Sequence, residues 1–189
     1  MPAAARPARI RTPHTAYVDE SRRPGVYLVT AALVMVKDVQ EVTKAIREAL
    51  PKGRRRAHFS AEGEPIRRQL LDCYCQLPVR VVVAQTEHRR GDDADPRARC
   101  LGALAEVTGR QQVRNLVIDT RGPDRDAEDR RTIAEAIRAG KADRDLLYQH
   151  RGSRDDLLLG LPDAFGWSYG AGGAWKAQAS GLVVCEISA

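Results

Sequence analysis

The chain has 189 residues, 43% hydrophobic and 30% charged, with 31 Lys/Arg against 25 Asp/Glu and a formal net charge of +6. These proportions exclude a disordered chain, and the length suits one hydrophobic core rather than two. The longest apolar stretch, residues 26–36, is about half of a bilayer span, so no membrane helix is expected.

Residues 1–14 carry Ala, Pro and basic side chains without an apolar h-region. A secretory signal is not indicated, and a flexible basic arm ahead of a single domain over 15–189 is. Residues 15–19 read as a short extended run, closed by a turn at Pro24-Gly25 and followed by the β-rich 26–36. Two adjacent antiparallel strands follow from that pattern. Asp38 then offers an N-cap with Glu41 three residues on, and Val39, Val42, Ile46, Ala49 and Leu50 recur at helical spacing until Pro51.

Beyond a basic loop, His58-Phe59 reads as a third short strand, and Ile66, Leu70, Leu71 and Tyr74 outline a second helix ending before Pro78. The β-branched run 79–84 is a buried strand. Asp95-Pro96 pairs an N-cap with proline at the first helical position, and the helix face continues to Gly109. A short apolar strand ends on Asp119, a helix spans about 125–139 with Gly140 as its cap, and 146–149 reads as a further strand. Ser153 with Asp156 resembles a capping box that leads toward Asp163. An opening antiparallel pair followed by β-α-β alternation predicts an α/β fold, a mixed sheet flanked by helices.

Asp19 and Asp119 each end a short apolar run, so each carboxylate emerges at a strand terminus. Neighbouring strands would let them converge, and paired carboxylates are what hard divalent cations such as Mg²⁺ require. Asp also ends strands for a simpler reason, because its side chain hydrogen-bonds to nearby backbone amides. Cys73, Cys75, Cys100 and Cys185 lack CxxC spacing and the four histidines are scattered, so neither a zinc site nor a disulfide framework is indicated; a reducing, cytoplasmic setting fits. Basic clusters at Arg54-Arg55-Arg56, Arg67-Arg68 and Arg89-Arg90 suit phosphate backbones.

Tyr17-Val18-Asp19-Glu20-Ser21 resembles the N-terminal (Y/F)-(I/V)-D-E-S signature of the DUF3800 family, and residues 159–167, LGLPDAFGW, are similar to its L-Q-(L/I)-A-D helix. The resemblance covers residues 15–176 and implies an RNase H-like fold. It also implies an acidic layout with one aspartate on the first strand, one on a central strand and one on the last helix. Asp19, Asp119 and Asp163 would then be catalytic metal ligands for Mg²⁺ or Mn²⁺, with Glu20 as a further ligand or support and Asp129 as another support. Three positions depart from the family pattern: Arg56 stands where an acidic residue is usual, Gly160 replaces the glutamine, and Pro162 replaces the alanine. Proline there predicts that the last helix starts at Pro162 or kinks.

The resemblance therefore implies a divalent-metal-dependent nuclease acting on nucleic acid, DNA or RNA, with His58 as a candidate proton shuttle. The alternative is a catalytically degenerate module that binds RNA, a ribosome or a protein partner through its basic surface. Trp167, Tyr169 and Trp175 suit either base stacking or the core. Gly170 to Gly173 lacks the context of a phosphate loop and reads as a hinge or C-terminal break.

Overall fold

The computed structural model describes residues 14–88, 94–108 and 111–189. The chain is α/β. Strand β1 (His14–Arg23) turns at Pro24 into β2 (Gly25–Met35), which leads to helix α1 (Val39–Ala49), α2 (Glu64–Tyr74) and β3 (Val79–His88). Then follow α3 (Ala94–Thr108), β4 (Val113–Asp119), α4 (Pro123–Arg138), β5 (Leu147–Arg151), α5 (Gly160–Ala171), α6 (Gly173–Ser180) and β6 (Val183–Ser188). The six strands form one sheet in the order β5-β4-β1-β2-β3-β6, mixed because β2 runs against its neighbours β1 and β3.

β2 reads as a continuous apolar run because helices bury the sheet on both faces. On one face Tyr17, Leu28 and Val117 pack with Val42, Leu70 and Phe165 of α1, α2 and α5. On the other, Val18, Tyr27 and Ile118 pack with Leu101 of α3 and Ile133 of α4. Strand residues alternate between faces. Asp19 and Asp119 therefore share the face of Tyr17 and Val117, under α5.

Parallel pairing of β1 with β4 sets Val18 beside Ile118. The next residues along the two strands are Asp19 and Asp119; Asp119 ends β4 as expected, whereas Asp19 lies inside β1, which continues to Arg23. α5 is apolar almost all round and lies over β1 and β2, with Leu161, Ala164 and Phe165 buried. Its close approach depends on Gly166, where a Cβ would stand 2.9 Å from Thr30 Oγ1.

Several expectations need correction. The 58–59 segment forms no strand; a 3-10 turn spans Phe59–Ala61, because the Phe59 N–H is drawn to a side chain and the Ala61 N–H to the His58 carbonyl. Helix α5 begins at Gly160 and carries Pro162 in its first turn, where backbone N–H groups have no intrahelical partner to lose. Asp38 makes no side-chain cap, whereas Asp156 caps the 3-10 turn Leu157–Leu159 by accepting the Leu158 N–H. The glycine-rich break falls at Gly172, whose φ of 73° suits glycine, between α5 and α6. β6 had no reading in the sequence, and its alternation of half-buried with exposed residues reflects a position at the sheet edge.

His14, placed in the expected arm, opens β1 instead; the rest of that arm, Gly109 and Arg89-Arg90 lie outside the described residues. Among the described residues no helix is long and apolar enough to cross a membrane.

Candidate metal centre

Asp19, Asp119 and Asp163 line the same cleft, supplied by β1, the end of β4 and the first turn of α5. Each carboxylate is anchored through one oxygen. Asp19 Oδ1 accepts the Glu20 N–H at 2.7 Å, and Asp119 Oδ1 accepts the Ser153 N–H at 3.0 Å. Asp163 Oδ2 accepts the Phe59 N–H at 2.8 Å and lies 3.0 Å from His58 Nδ1. Among the described residues, no hydrogen-bond donor reaches the second oxygen of any of the three.

The electrostatics follow from that crowding. Burial, then the charges of Asp163, Asp119 and Glu20, push the Asp19 carboxyl well above the usual carboxylate range. Burial also raises Asp119, with Glu20 and Asp163 adding to it while the Ser153 N–H opposes. The three donor sets do not all come within 4.8 Å of one another, so the cleft is wider than a closed three-ligand cage. Oxygen donors of this type match Mg²⁺ or Mn²⁺ rather than a soft metal.

His58 is exposed and its imidazole bridges Asp163 and Ser60, with Nε2 3.1 Å from Ser60 Oγ. The hydrogen bond to Asp163 raises its pKa above the ordinary value, against the opposing effect of desolvation. Arg56 enters the same cleft and donates from Nη1 to Ser153 Oγ at 2.8 Å. A cation thus stands beside the three acids.

Glu20 is placed differently from the triad. As the neighbour of Asp19 on a strand it turns to the opposite face, where Arg97 pairs with Oε2 and Arg121 Nε lies 2.9 Å from Oε1. Its carboxylate is committed to two guanidinium groups, which argues for support rather than ligation. Asp129 is likewise held: Arg97 donates to both its oxygens at 2.7 Å, and His150 Nε2 lies 3.0 Å from Oδ2. Burial would raise the Asp129 carboxyl, but the hydrogen bonds from Arg97 and His150 outweigh it and lower the pKa.

Among the described residues, Asp126, Asp129 and His150 are the grouping whose three donor atoms all lie within 4.8 Å. Its cation is already present as Arg97. Asp126 is occupied too, accepting Thr120 Oγ1–H at 2.6 Å and the Arg121 N–H at 3.0 Å. This network braces the loop that leaves Asp119. Sequence reasoning missed Arg97, Arg121, Asp126 and His150, and no local spacing marks them; Ser153 was read only as half of a capping box, whereas its N–H serves Asp119.

The aromatic residues divide. Tyr169 is buried and donates from its hydroxyl to Glu186 at 2.5 Å. Trp167 and Trp175 pack edge-on with Phe59 against the core, and Arg23 and Arg67 lie 4.8 and 4.3 Å from the Trp167 ring centre. No protein-family model matches the sequence, and no curated protein matches it either. The family resemblance therefore stands on its two motifs.

Proposed function

We propose that the chain is a divalent-metal-dependent nuclease of the RNase H-like type, hydrolysing phosphodiester bonds at Asp19, Asp119 and Asp163. One observation carries the reading: three carboxylates on β1, β4 and α5 line a common cleft, and each spends only one oxygen on a protein donor. That arrangement keeps the side chains oriented, and burial first, then the charges of the neighbouring carboxylates, raise Asp19. A divalent ion there would offset the repulsion and supply the Lewis acidity that phosphoryl chemistry uses. The antiparallel opening of the sheet and the order of the three aspartates support the RNase H-like layout implied by the DUF3800 resemblance.

The chain's own residues then have distinct tasks. Phe59 N–H and His58 orient Asp163, Ser153 N–H orients Asp119, and the Arg97 network fixes the loop behind β4. His58 lies at the cleft rim with Nε2 3.1 Å from Ser60 Oγ, and its task in this reading is proton exchange. Four free cysteines fit the cytoplasm as the site of action.

Calorimetric titration with Mn²⁺, with cleavage of single- and double-stranded DNA and RNA measured alongside, tests the proposal. Wild type should bind Mn²⁺ and cleave, and Asp19→Asn or Asp163→Asn should fold yet lose both. Arg56 in the cleft favours a second reading, a binding module without turnover. Salt-sensitive nucleic-acid binding without chelator-sensitive cleavage would favour that reading and sink the first.

A further inference from the structure

Two cavities meet at the acidic centre, and they differ in kind. One, of about 320 Å³, extends toward Arg22, Arg23 and Trp167 and is lined mainly by polar side chains. The other, of about 230 Å³, runs under α1 and α2 and ends on Ile46, Leu50, Tyr74, Leu157, Leu159 and the bare Cα of Gly160. Arg56 and Ser153 stand in this inner cavity with Asp119, joined by the Arg56-to-Ser153 and Ser153-to-Asp119 hydrogen bonds.

We propose, resting on the nuclease reading, that the inner cavity is a subsite for one unpaired nucleoside of a single-stranded substrate, with Arg56 on the phosphate that joins it to the centre. Shape is the first argument. The volume falls below the roughly 300–1,000 Å³ of a complete small-molecule pocket, so it suits one group of a longer ligand whose remainder lies outside. The floor is aliphatic apart from Tyr74, whose hydroxyl is the one polar group it presents and, being both donor and acceptor, suits any base edge, which predicts weak sequence preference.

Charge is the second argument. A phosphate approaching three carboxylates is repelled unless a fixed cation offsets them, and a guanidinium presents a planar fork of donors that matches phosphate oxygens. Arg56 occupies that position and is held there by Ser153. Access is the third. A base in a duplex is stacked on both faces and paired at its edge, so it reaches a walled cavity only after extrusion, at a cost of a few kcal/mol. A single strand avoids that cost. Gly160 keeps the cavity open: a Cβ there would meet only Tyr74 Oη, at 3.7 Å, so alanine fits whereas a longer side chain grows into the space.

The test is equilibrium binding, by fluorescence anisotropy in Ca²⁺, of a labelled oligonucleotide as a single strand and as its duplex. Wild type should hold the single strand about tenfold or more tighter. Gly160→Leu should lose that preference and Gly160→Ala should keep it. Arg56→Gln should weaken single-strand binding and reduce the slope of log K against log salt by about one. Equal affinity for strand and duplex, or an unchanged preference in Gly160→Leu with a wild-type melting curve, would overturn the proposal. Should Gly160→Leu fail to fold, an abasic site moved along the strand on wild-type protein decides instead. Loss concentrated at one position supports an inserted base, and a uniform response overturns it. Mn²⁺ titration separates the two ideas: strand preference without Mn²⁺ binding sinks the nuclease reading and leaves the cavity as a single-strand binding site, whereas Mn²⁺ binding without strand preference sinks the subsite alone.

Discussion

Asp163 Oδ2 accepts the backbone N–H of Phe59 at 2.8 Å, joining the last functional segment of the chain to a loop more than one hundred residues earlier. The Phe59 ring is buried and packs edge-on to Trp167, with ring centres 5.4 Å apart. Because Trp167 lies one turn beyond Asp163 on α5, the same helix holds both the ring and the amide of Phe59. The carboxylate is therefore aimed by the core, and the exposed imidazole of His58 only adds to that aim.

This division of labour predicts different outcomes at adjacent residues. Phe59→Ala should cost about 3–5 kcal/mol in urea unfolding. His58→Ala, at an exposed side chain, should change stability by no more than about 0.5 kcal/mol while weakening Mn²⁺ binding. In Asp163→Asn the His58 pKa, followed by NMR, should fall toward its ordinary value, since the hydrogen bond to Asp163 is the main cause of its elevation.

Asp19 carries a linkage of the same sign as His58, set by burial and neighbouring carboxylates rather than by a hydrogen bond. Its folded pKa is raised, so between the ordinary and the raised value the folded chain binds a proton that the unfolded chain has released. Stability is full below that window and falls as pH rises through it. Asp19→Asn should therefore flatten the decline. At neutral pH in chelator it should raise stability by on the order of 1 kcal/mol, roughly 2–4 °C in Tm for a chain of this size. In wild type, Mn²⁺ at about one hundred times its Kd should add about 2.7 kcal/mol, and Asp19→Asn should lose that gain. Calorimetry with and without Mn²⁺ measures both effects.

Arg97 is tied to Asp129 through both carboxylate oxygens and also pairs with Glu20. Arg97→Met leaves the buried carboxylate of Asp129 without its guanidinium, at a cost of about 3–5 kcal/mol. The double variant Arg97→Met/Asp129→Leu should recover most of the loss. The depressed Asp129 pKa contributes stability above its unfolded value that is lost as pH falls through the folded value. Acid unfolding of Arg97→Met should accordingly show a shallower slope than wild type in that range.

Gly166→Ala tests how α5 is seated. The added Cβ would fall 2.9 Å from Thr30 Oγ1 and 3.5 Å from Thr30 Cβ, so α5 must lift from the sheet. A loss of about 1–3 kcal/mol is expected, with weaker Mn²⁺ binding because Asp163 rides on the same helix. Thr30→Ala should relieve the clash, and a double-mutant cycle in urea measures the coupling.

Local pattern determined the strands and helices with strong periodicity: the apolar run of β2, the β-branched β3, and α1 with Val42 and Ile46 on its buried face. It also put Asp19 and Asp119 at the ends of apolar runs, but only the parallel pairing of β1 with β4 sets the two side by side. Tertiary structure decided what those residues meet. Glu20 differs from Asp19 by one position, and strand alternation sends it to Arg97 and Arg121 instead of the acidic cleft. The 58–59 segment is a turn because Asp163 captures its amide, and β6 exists because β3 offers an open edge. Arg56 joins the cleft through Ser153, a contact across 97 positions that no local propensity encodes. Burial and long-range pairing, which act only after the chain is packed, chose between the roles that each residue type left open.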